Sequence, residues 1–268
     1  MTWNQPPNPS HSTGVQLAMG MRRSLEDGTS LIGPFVKLRD ADAFHLTCAA
    51  NPDFVILDAE HSQLSEGQLR ELCALGRLLG MATIVRIPRF DSDLVNRLLE
   101  SGAAGIQLSS VESGEMAADL ATSMAYPPHG KRSLSLGHAE AGYGLVTRDA
   151  YLASQAGRAL CIVQIETVQG VESLEAVCEA KPDIVFVGTS DLRLQCDAHG
   201  LDYDATLAQV FGTVTDHRLL FGGFGSSARA VEDLIAAGAT YIAYSSDLSF
   251  YGAAIRNEIG IVNPKRNT

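Results

Sequence analysis

The residues that could do chemistry in this chain stand at the ends of short apolar runs. Asp58-Ala59-Glu60-His61 follows Phe54-Val55-Ile56-Leu57, and Arg86 follows Ala82-Thr83-Ile84-Val85. Gln164 and Glu166 close the run that starts at Leu160, and Asp191 follows Gly188-Thr189-Ser190. Carboxylates such as Glu166 and Asp191 could share a hard cation, Mg²⁺ or Mn²⁺, that keeps coordination sites for water and substrate. They could equally cap helices, since each precedes a helix-like stretch. Gln164 lies two residues before Glu166 and so shares its side of a strand. His61 could serve as a general base, because an imidazole is the side chain suited to moving protons near neutral pH, although a lone histidine is also a common structural residue. Arg86 would be costly there unless paired. A carboxylate or a developing enolate would satisfy it, and so would an internal salt bridge to Asp58 or Glu60. The other histidines are less suggestive: His11 in the N-terminal stretch, His45 in a helix-like segment, His129 and His138 in a long loop, His199 and His217 in surface segments. Imine chemistry needs a lysine, and of Lys37, Lys131, Lys181 and Lys265 only Lys37 stands near a strand end. A solvated strand-end lysine is the competing reading there, so metal chemistry is favoured.

The elements that must hold these groups repeat with a clear rhythm. Strand-like runs cover residues 31–38, 54–60, 82–87, 105–110, 160–166, 184–188, 219–223 and 241–245. Each is near-continuously apolar, as in parallel strands covered on both faces. Amphipathic stretches such as 66–79, 94–101, 168–180 and 228–237 lie between them, and Gly102-Ala103 and Gly238-Ala239 fit helix ends that feed the next strand. This alternation predicts an α/β fold, a (β/α)₈ TIM barrel in a single domain over 22–268, preceded by a flexible tail at 1–21. A doubly wound sheet would normally show a glycine-rich turn after its first strand, and Leu38-Arg39-Asp40 is not one. In a barrel, the polar strand ends converge on one mouth. The double proline at Pro127-Pro128 opens a long loop running to about Arg158, and a loop of that length is usually functional or disordered. Gly222-Gly223-Phe224-Gly225-Ser226-Ser227 reads weakly as a phosphate cradle after strand seven.

Composition narrows the partners. With 31 acidic against 20 basic residues and a net charge of −11, the chain lacks the basic balance of a nucleic-acid binder. Mean hydropathy of +0.06 and 46% hydrophobic residues exclude general disorder. No apolar stretch approaches the roughly 18–20 residues of a membrane span, and the start has no secretory-signal pattern. Five scattered cysteines without a CxxC pair suit reduced thiols and a cytoplasmic location.

Five blocks carry a resemblance: Leu57-Asp58-Ala59-Glu60-His61, Val85-Arg86-Ile87-Pro88, Tyr126-Pro127-Pro128-His129-Gly130-Lys131-Arg132, Val163-Gln164-Ile165-Glu166-Thr167 and Val187-Gly188-Thr189-Ser190-Asp191-Leu192. In this order and spacing, from about residue 22 to 258, the chain resembles the HpcH/HpaI aldolase family, which has macrophomate synthase as a relative. The resemblance implies a lyase that cleaves or forms 4-hydroxy-2-oxo acids through a metal-bound pyruvate enolate. Oxaloacetate decarboxylation, or a biosynthetic carbon–carbon bond formation with the same enolate, is the alternative. A non-catalytic barrel that binds a 2-oxo acid is a further one. By position, Glu166 and Asp191 would hold Mg²⁺, Mn²⁺ or Co²⁺, Arg86 would stabilise the enolate and His61 would move protons. Gln164 would support the metal shell, Gly188 and the amide of Ser190 would cradle the pyruvate carboxylate, and Asp58 and Glu60 would support these groups. Glu100 would meet a neighbouring subunit's histidine in a homo-oligomer, a hexamer by the same resemblance. The partners implied are pyruvate or oxaloacetate and a carbonyl acceptor, with no nucleic acid and no membrane. The chain departs from the family at Ser109-Ser110, at Thr189-Ser190, at Arg193 and at Ser133, positions around the metal or the aldehyde. Arg193 could reach an acidic acceptor or lie solvated on its helix.

Overall fold

The computed structural model describes residues 12–263. Eight parallel strands close a barrel in chain order: β1 Leu31–Val36, β2 Val55–Asp58, β3 Thr83–Ile87, β4 Gly105–Leu108, β5 Leu160–Ile165, β6 Ile184–Val187, β7 Leu220–Gly225 and β8 Tyr241–Ser246, with β8 pairing back onto β1. The ring is built of α2 Ala41–Ala49, α3 Glu66–Leu79, α4 Ser92–Glu100, α5 Gly114–Ser123, α6 Arg148–Ser154, α7 Val168–Glu172, α8 Leu174–Glu179, α9 Thr189–His199, α10 Tyr203–Asp216, α11 Ala228–Ala236 and α12 Asp247–Val262, after an N-terminal helix α1 Gly14–Glu26. The expected (β/α)₈ barrel is the observed one.

The two-residue period of each strand sorts its side chains into two cores. Val55, Leu57, Val85, Ile87, Val163, Ile165, Val185 and Val187 point outward into the layer beneath the helices. Phe35, Ile56, Ile84, Ile162, Phe186 and Tyr241 point inward and fill the barrel. The same inward parity, continued to the strand ends, delivers Lys37, Asp58, Arg86, Gln107, Gln164, Glu166 and Gly188 to one mouth. Register reinforces this placement, because Asp58 pairs with Arg86 across β2 and β3 and Arg86 with Gln107 across β3 and β4. Pro34, which has no N–H for the ladder, sits where the β1–β8 register shifts.

Four expectations need correction. The tail expected over 1–21 gives way at Gly14 to α1, whose Thr13–Gln16 capping box starts the helix and whose Ala18, Met21 and Leu25 plug the bottom of the barrel. Residues 1–11 of that tail, with His11, lie outside the described residues. The single helix expected over 168–180 is two short ones, broken at Ser173. The long loop, expected to be functional or disordered, is ordered, and none of its residues lines the cavity at the strand ends. It carries a 3₁₀ turn, Ala139–Gly144, whose Glu140 carboxylate accepts the N–H of Gly14 at 2.9 Å and sits 3.3 Å from Arg77, so it is anchored at the opposite end of the barrel. The glycines after strand seven lie inside β7 and serve packing: a side chain at Gly222 would strike the Tyr241 ring, and one at Gly225 would strike Val231.

Cys73, Cys161, Cys178 and Cys196 are buried and unbonded, and burial pushes the Cys73 thiol up to about 12 and that of Cys178 to about 11. They are inert core fillers. No helix among the described residues is long and apolar enough to cross a membrane.

Candidate active site

The strand ends enclose a cavity of about 440 Å³. Its walls include Phe35, Lys37, His61, Arg86, Gln164 and Asp191, with Gly188 and Ser190 at its edge. Another apolar cavity, of about 580 Å³, lies on the outer wall between α2 and α12 and has none of these groups.

Arg86 is buried and forks onto Asp58, with Nε 2.9 Å from Oδ1 and Nη2 2.7 Å from Oδ2. Its Nη1 lies 3.4 Å from Glu60, and its guanidinium sits 4.3 Å above the Phe35 ring. The internal salt bridge considered from sequence therefore exists, and Arg86 lines the cavity as well. Of its five N–H groups, two bond Asp58 and one faces Glu60, which leaves two for a ligand. Burial alone would raise the Asp58 carboxyl, but the Arg86 hydrogen bonds and charge, the His61 backbone N–H and Lys37 hold it below the usual carboxylate range. Glu60 is anchored by the Ser109 hydroxyl at 2.7 Å. His61 is 59% exposed, with Nε2 3.8 Å from Glu60, and lines the mouth.

Glu166 is buried, and its oxygens are unequally used. Oε1 accepts both the backbone N–H of Ser110, at 2.9 Å, and the Ser110 hydroxyl, at 2.5 Å. Ser110 manages this double donation from a left-handed backbone, φ +49. Oε2 accepts one bond, from the amide of Gln164. A carboxylate offers about four lone-pair sites, so one on Oε2 is left. Gly188 stands beside that oxygen, and any Cβ there would run into it. Behind Gln164 runs a buried polar chain. Gln107 Nε2 donates to Gln164 Oε1 at 2.6 Å, and the Tyr241 hydroxyl donates to Gln107 Oε1 at 3.3 Å. Gln107 and Tyr241 join the site without any signal in the sequence reading, whereas Ser110 stood there among the departures from the family and here meets Glu166.

Asp191 is exposed at the first turn of α9, where Gly188 is the N-cap, and its carboxylate has no protein partner among the described residues. Thr167, not Glu166, caps α7 through its hydroxyl at 3.0 Å from the Gly170 N–H. The capping explanation thus fails for both carboxylates. Among the described residues no three His, Cys, Asp or Glu side chains gather as a metal cage. Asp191 lies open on the cavity wall, and Glu166, itself buried, keeps one lone-pair site on Oε2 beside Gly188, which lines the cavity; Mg²⁺ and Mn²⁺ bind through one or two carboxylates plus water and substrate oxygens. The residues fit such an ion.

Glu100 is not brought to the mouth of its own chain. It ends α4, where it lies 3.9 Å from His138 of the same chain and 3.4 Å from the Asn96 amide. Arg193 stacks 3.8 Å over the Tyr203 ring and lines an outer groove that shares Ser190 and Ser226 with the mouth.

The HpcH/HpaI aldolase/citrate lyase family model matches residues 31–253. A hydroxypyruvate/pyruvate aldolase of Roseovarius nubinhibens is 30% identical over 79% of this chain and 82% of its own length. A 5-keto-4-deoxy-D-glucarate aldolase of Klebsiella pneumoniae is 29% identical over 83% and 88%. Among solved structures, an HpcH/HpaI aldolase/citrate lyase family protein of Burkholderia cenocepacia superposes with a TM-score of 0.82 at 24% identity, over 91% of this chain and 98% of that one. With the barrel, the mouth and these relatives in agreement, the chain belongs to the HpcH/HpaI aldolase/citrate lyase family and is a carbon–carbon lyase.

Proposed function

We propose that the protein is a divalent-metal-dependent class II aldolase that makes or breaks the bond between a pyruvate enolate and a carbonyl acceptor, with 4-hydroxy-2-oxo acids as its substrates. One observation carries this reading: Glu166 presents a single free lone-pair site beside Gly188, at the same mouth as Asp191 and Arg86. Glu166 and Asp191 would hold Mg²⁺, Mn²⁺ or Co²⁺, and the bound ion supplies Lewis-acid polarisation of a 2-oxo acid. Arg86 directs its two free N–H groups at the oxygen on which enolate charge develops, and Asp58 fixes their direction. His61, exposed at the rim, takes the proton from the substrate hydroxyl on cleavage and returns it on synthesis. The N-terminal amides of α9 at Ser190, with Gly188, receive the carboxylate of the 2-oxo acid. Gln164 offers its second amide N–H to the same ligand.

The reading extends to assembly. In α12 only Asp247 is buried, whereas Leu248, Phe250, Tyr251, Ile255 and Ile259 are exposed beside the apolar cavity at α2. Such a surface supports a homo-oligomer, a hexamer by family likeness. The unbonded thiols support a cytoplasmic location. The test is exchange of pyruvate methyl protons in D₂O, followed by NMR. Exchange should need added Mg²⁺, Mn²⁺ or Co²⁺ and stop in excess chelator; undiminished exchange in chelator refutes the proposal.

A further inference from the structure

Ser110 spends two donors on one oxygen of Glu166. Its backbone N–H lies 2.9 Å and its hydroxyl 2.5 Å from Oε1, while the Gln164 amide takes one acceptor site on Oε2. A carboxylate has about four such sites. Glu166 therefore offers an incoming cation one oxygen and not a pair. The grip is rigid at its source. The Ser109 N–H donates to the Ile87 carbonyl at 3.0 Å and the Val111 N–H to the Gln164 carbonyl at 3.0 Å. Ser110 is thus stitched to β3 on one side and to β5 on the other. Between these bonds it adopts φ +49, a left-handed backbone that serine holds only at a cost.

The number of oxygens a carboxylate can give decides which ion it suits. Ca²⁺ takes about six to eight oxygens in a flexible shell and readily accepts both from one carboxylate. Mg²⁺ and Mn²⁺ favour an octahedron. The two oxygens of one carboxylate lie closer together than adjacent corners of that octahedron, so the smaller ions are served by one. Asp191 has no protein partner among the described residues and makes no such choice, so the discrimination rests on Glu166. We propose that Ser110 is a specificity-determining residue for the metal: by occupying Glu166 Oε1 it restricts that carboxylate to a single oxygen, favours Mg²⁺ and Mn²⁺ and turns Ca²⁺ away. This deepens the aldolase reading and rests on it for the presence of a metal.

The experiment measures Mn²⁺ binding by EPR, and Ca²⁺ binding by competition against Mn²⁺, with no substrate present. It compares wild type with Ser110→Ala and Ser110→Gly. Both substitutions keep the backbone N–H and remove the hydroxyl, which returns one acceptor site to Oε1. Glycine also takes φ +49 freely, so that variant guards against misfolding. In wild type Ca²⁺ should bind at least about 10-fold more weakly than Mn²⁺. In both variants the ratio of the Ca²⁺ Kd to the Mn²⁺ Kd should fall about 10-fold, the lower end of what groups around a metal ligand contribute. The ratio is the decisive readout. A Ser110 that only braced Glu166 would change the affinity for every cation alike and leave the ratio where it was. An unchanged ratio in a variant that still binds Mn²⁺ therefore overturns the proposal and leaves the aldolase reading intact. Loss of Mn²⁺ binding from both variants, with Tm held, overturns it too, because the hydroxyl would then be needed for binding itself. A wild-type protein that binds neither ion removes the metal from the aldolase reading, and the proposal falls with it.

Discussion

Gly188→Ala tests the arrangement around Glu166 most directly. Gly188 has φ −75 and ψ 81, a backbone that alanine holds without strain, so the substitution adds one methyl and little else. The new carbon would run into Glu166 Oε2, lie 2.8 Å from Glu166 Cβ and 3.2 Å from Gln164 Nε2. Carbon pairs settle at about 3.5–4.0 Å, so Glu166 must withdraw by roughly 0.7–1.2 Å. It has little room, because Ser110 grips one oxygen and the Gln107–Gln164 chain closes the other side. Overpacking of this kind costs about 1–3 kcal/mol. In a domain of this size that lowers Tm by roughly 2–10 °C. The methyl also covers the lone-pair site left on Oε2, so Mn²⁺ affinity should fall about 10- to 100-fold, the usual cost of disturbing a ligand's surroundings. Free Mn²⁺ measured by EPR during a titration reads the affinity, and calorimetry reads the Tm. Wild-type Mn²⁺ affinity in a variant whose Tm has fallen would show that Glu166 is packed by Gly188 but does not bind the ion.

Asp58→Asn should cost about 3–5 kcal/mol in urea unfolding, because it removes the doubly bonded counter-charge of the buried Arg86 and leaves only Glu60 at 3.4 Å. The folded-state pKa of Asp58 is lowered, so its stabilisation is complete above the ordinary carboxylate value near 4 and is lost as pH falls through the lower folded value; the stability gap between wild type and Asp58→Asn should therefore narrow only in acid. His61→Ala should reduce kcat about 10²- to 10⁴-fold while Mn²⁺ affinity stays within twofold, since the exposed ring has Glu60 as its nearest charged neighbour, 3.8 Å away. A turnover equal to wild type would make His61 a surface residue.

The barrel was legible because its determinants are local. Ala82, Ile84 and Arg86 share one side of β3, and Leu160, Ile162, Gln164 and Glu166 one side of β5, so the alternation that marks the strand also says which polar residues reach the mouth. What stayed hidden depends on distant encounters. Nothing in Met-Gly-Met-Arg-Arg at residues 19–23 announces that α1 will plug the barrel, because that follows from the size of the opening at Leu31, Ala104 and Leu160. The YPPHGKR block was readable as a motif, but its loop anchors through Glu140 to Gly14 and Arg77, partners 126 and 63 residues away along the chain.

The departures at Ser109-Ser110 illustrate the limit. The resemblance put them around the expected metal or aldehyde without saying what they do, and the structure gives each a carboxylate, Glu60 for Ser109 and Glu166 for Ser110. Gln107 is harder still, a single amide in an apolar run. Its meaning comes from the direction of the chain it joins. An ionised Glu166 can only accept, so Gln164 must turn its N–H₂ to it and its oxygen away. Gln107 must then give its own N–H₂ to that oxygen and turn its oxygen to Tyr241, whose hydroxyl is left to donate. Burial holds that phenol well above its ordinary pKa, so the donor is always present. Gly222 in turn leaves the space for the Tyr241 ring. A negative charge at the mouth thereby fixes the orientation of two amides and is served by a tyrosine at the start of β8, which ties residue choices deep in the barrel to chemistry at its rim.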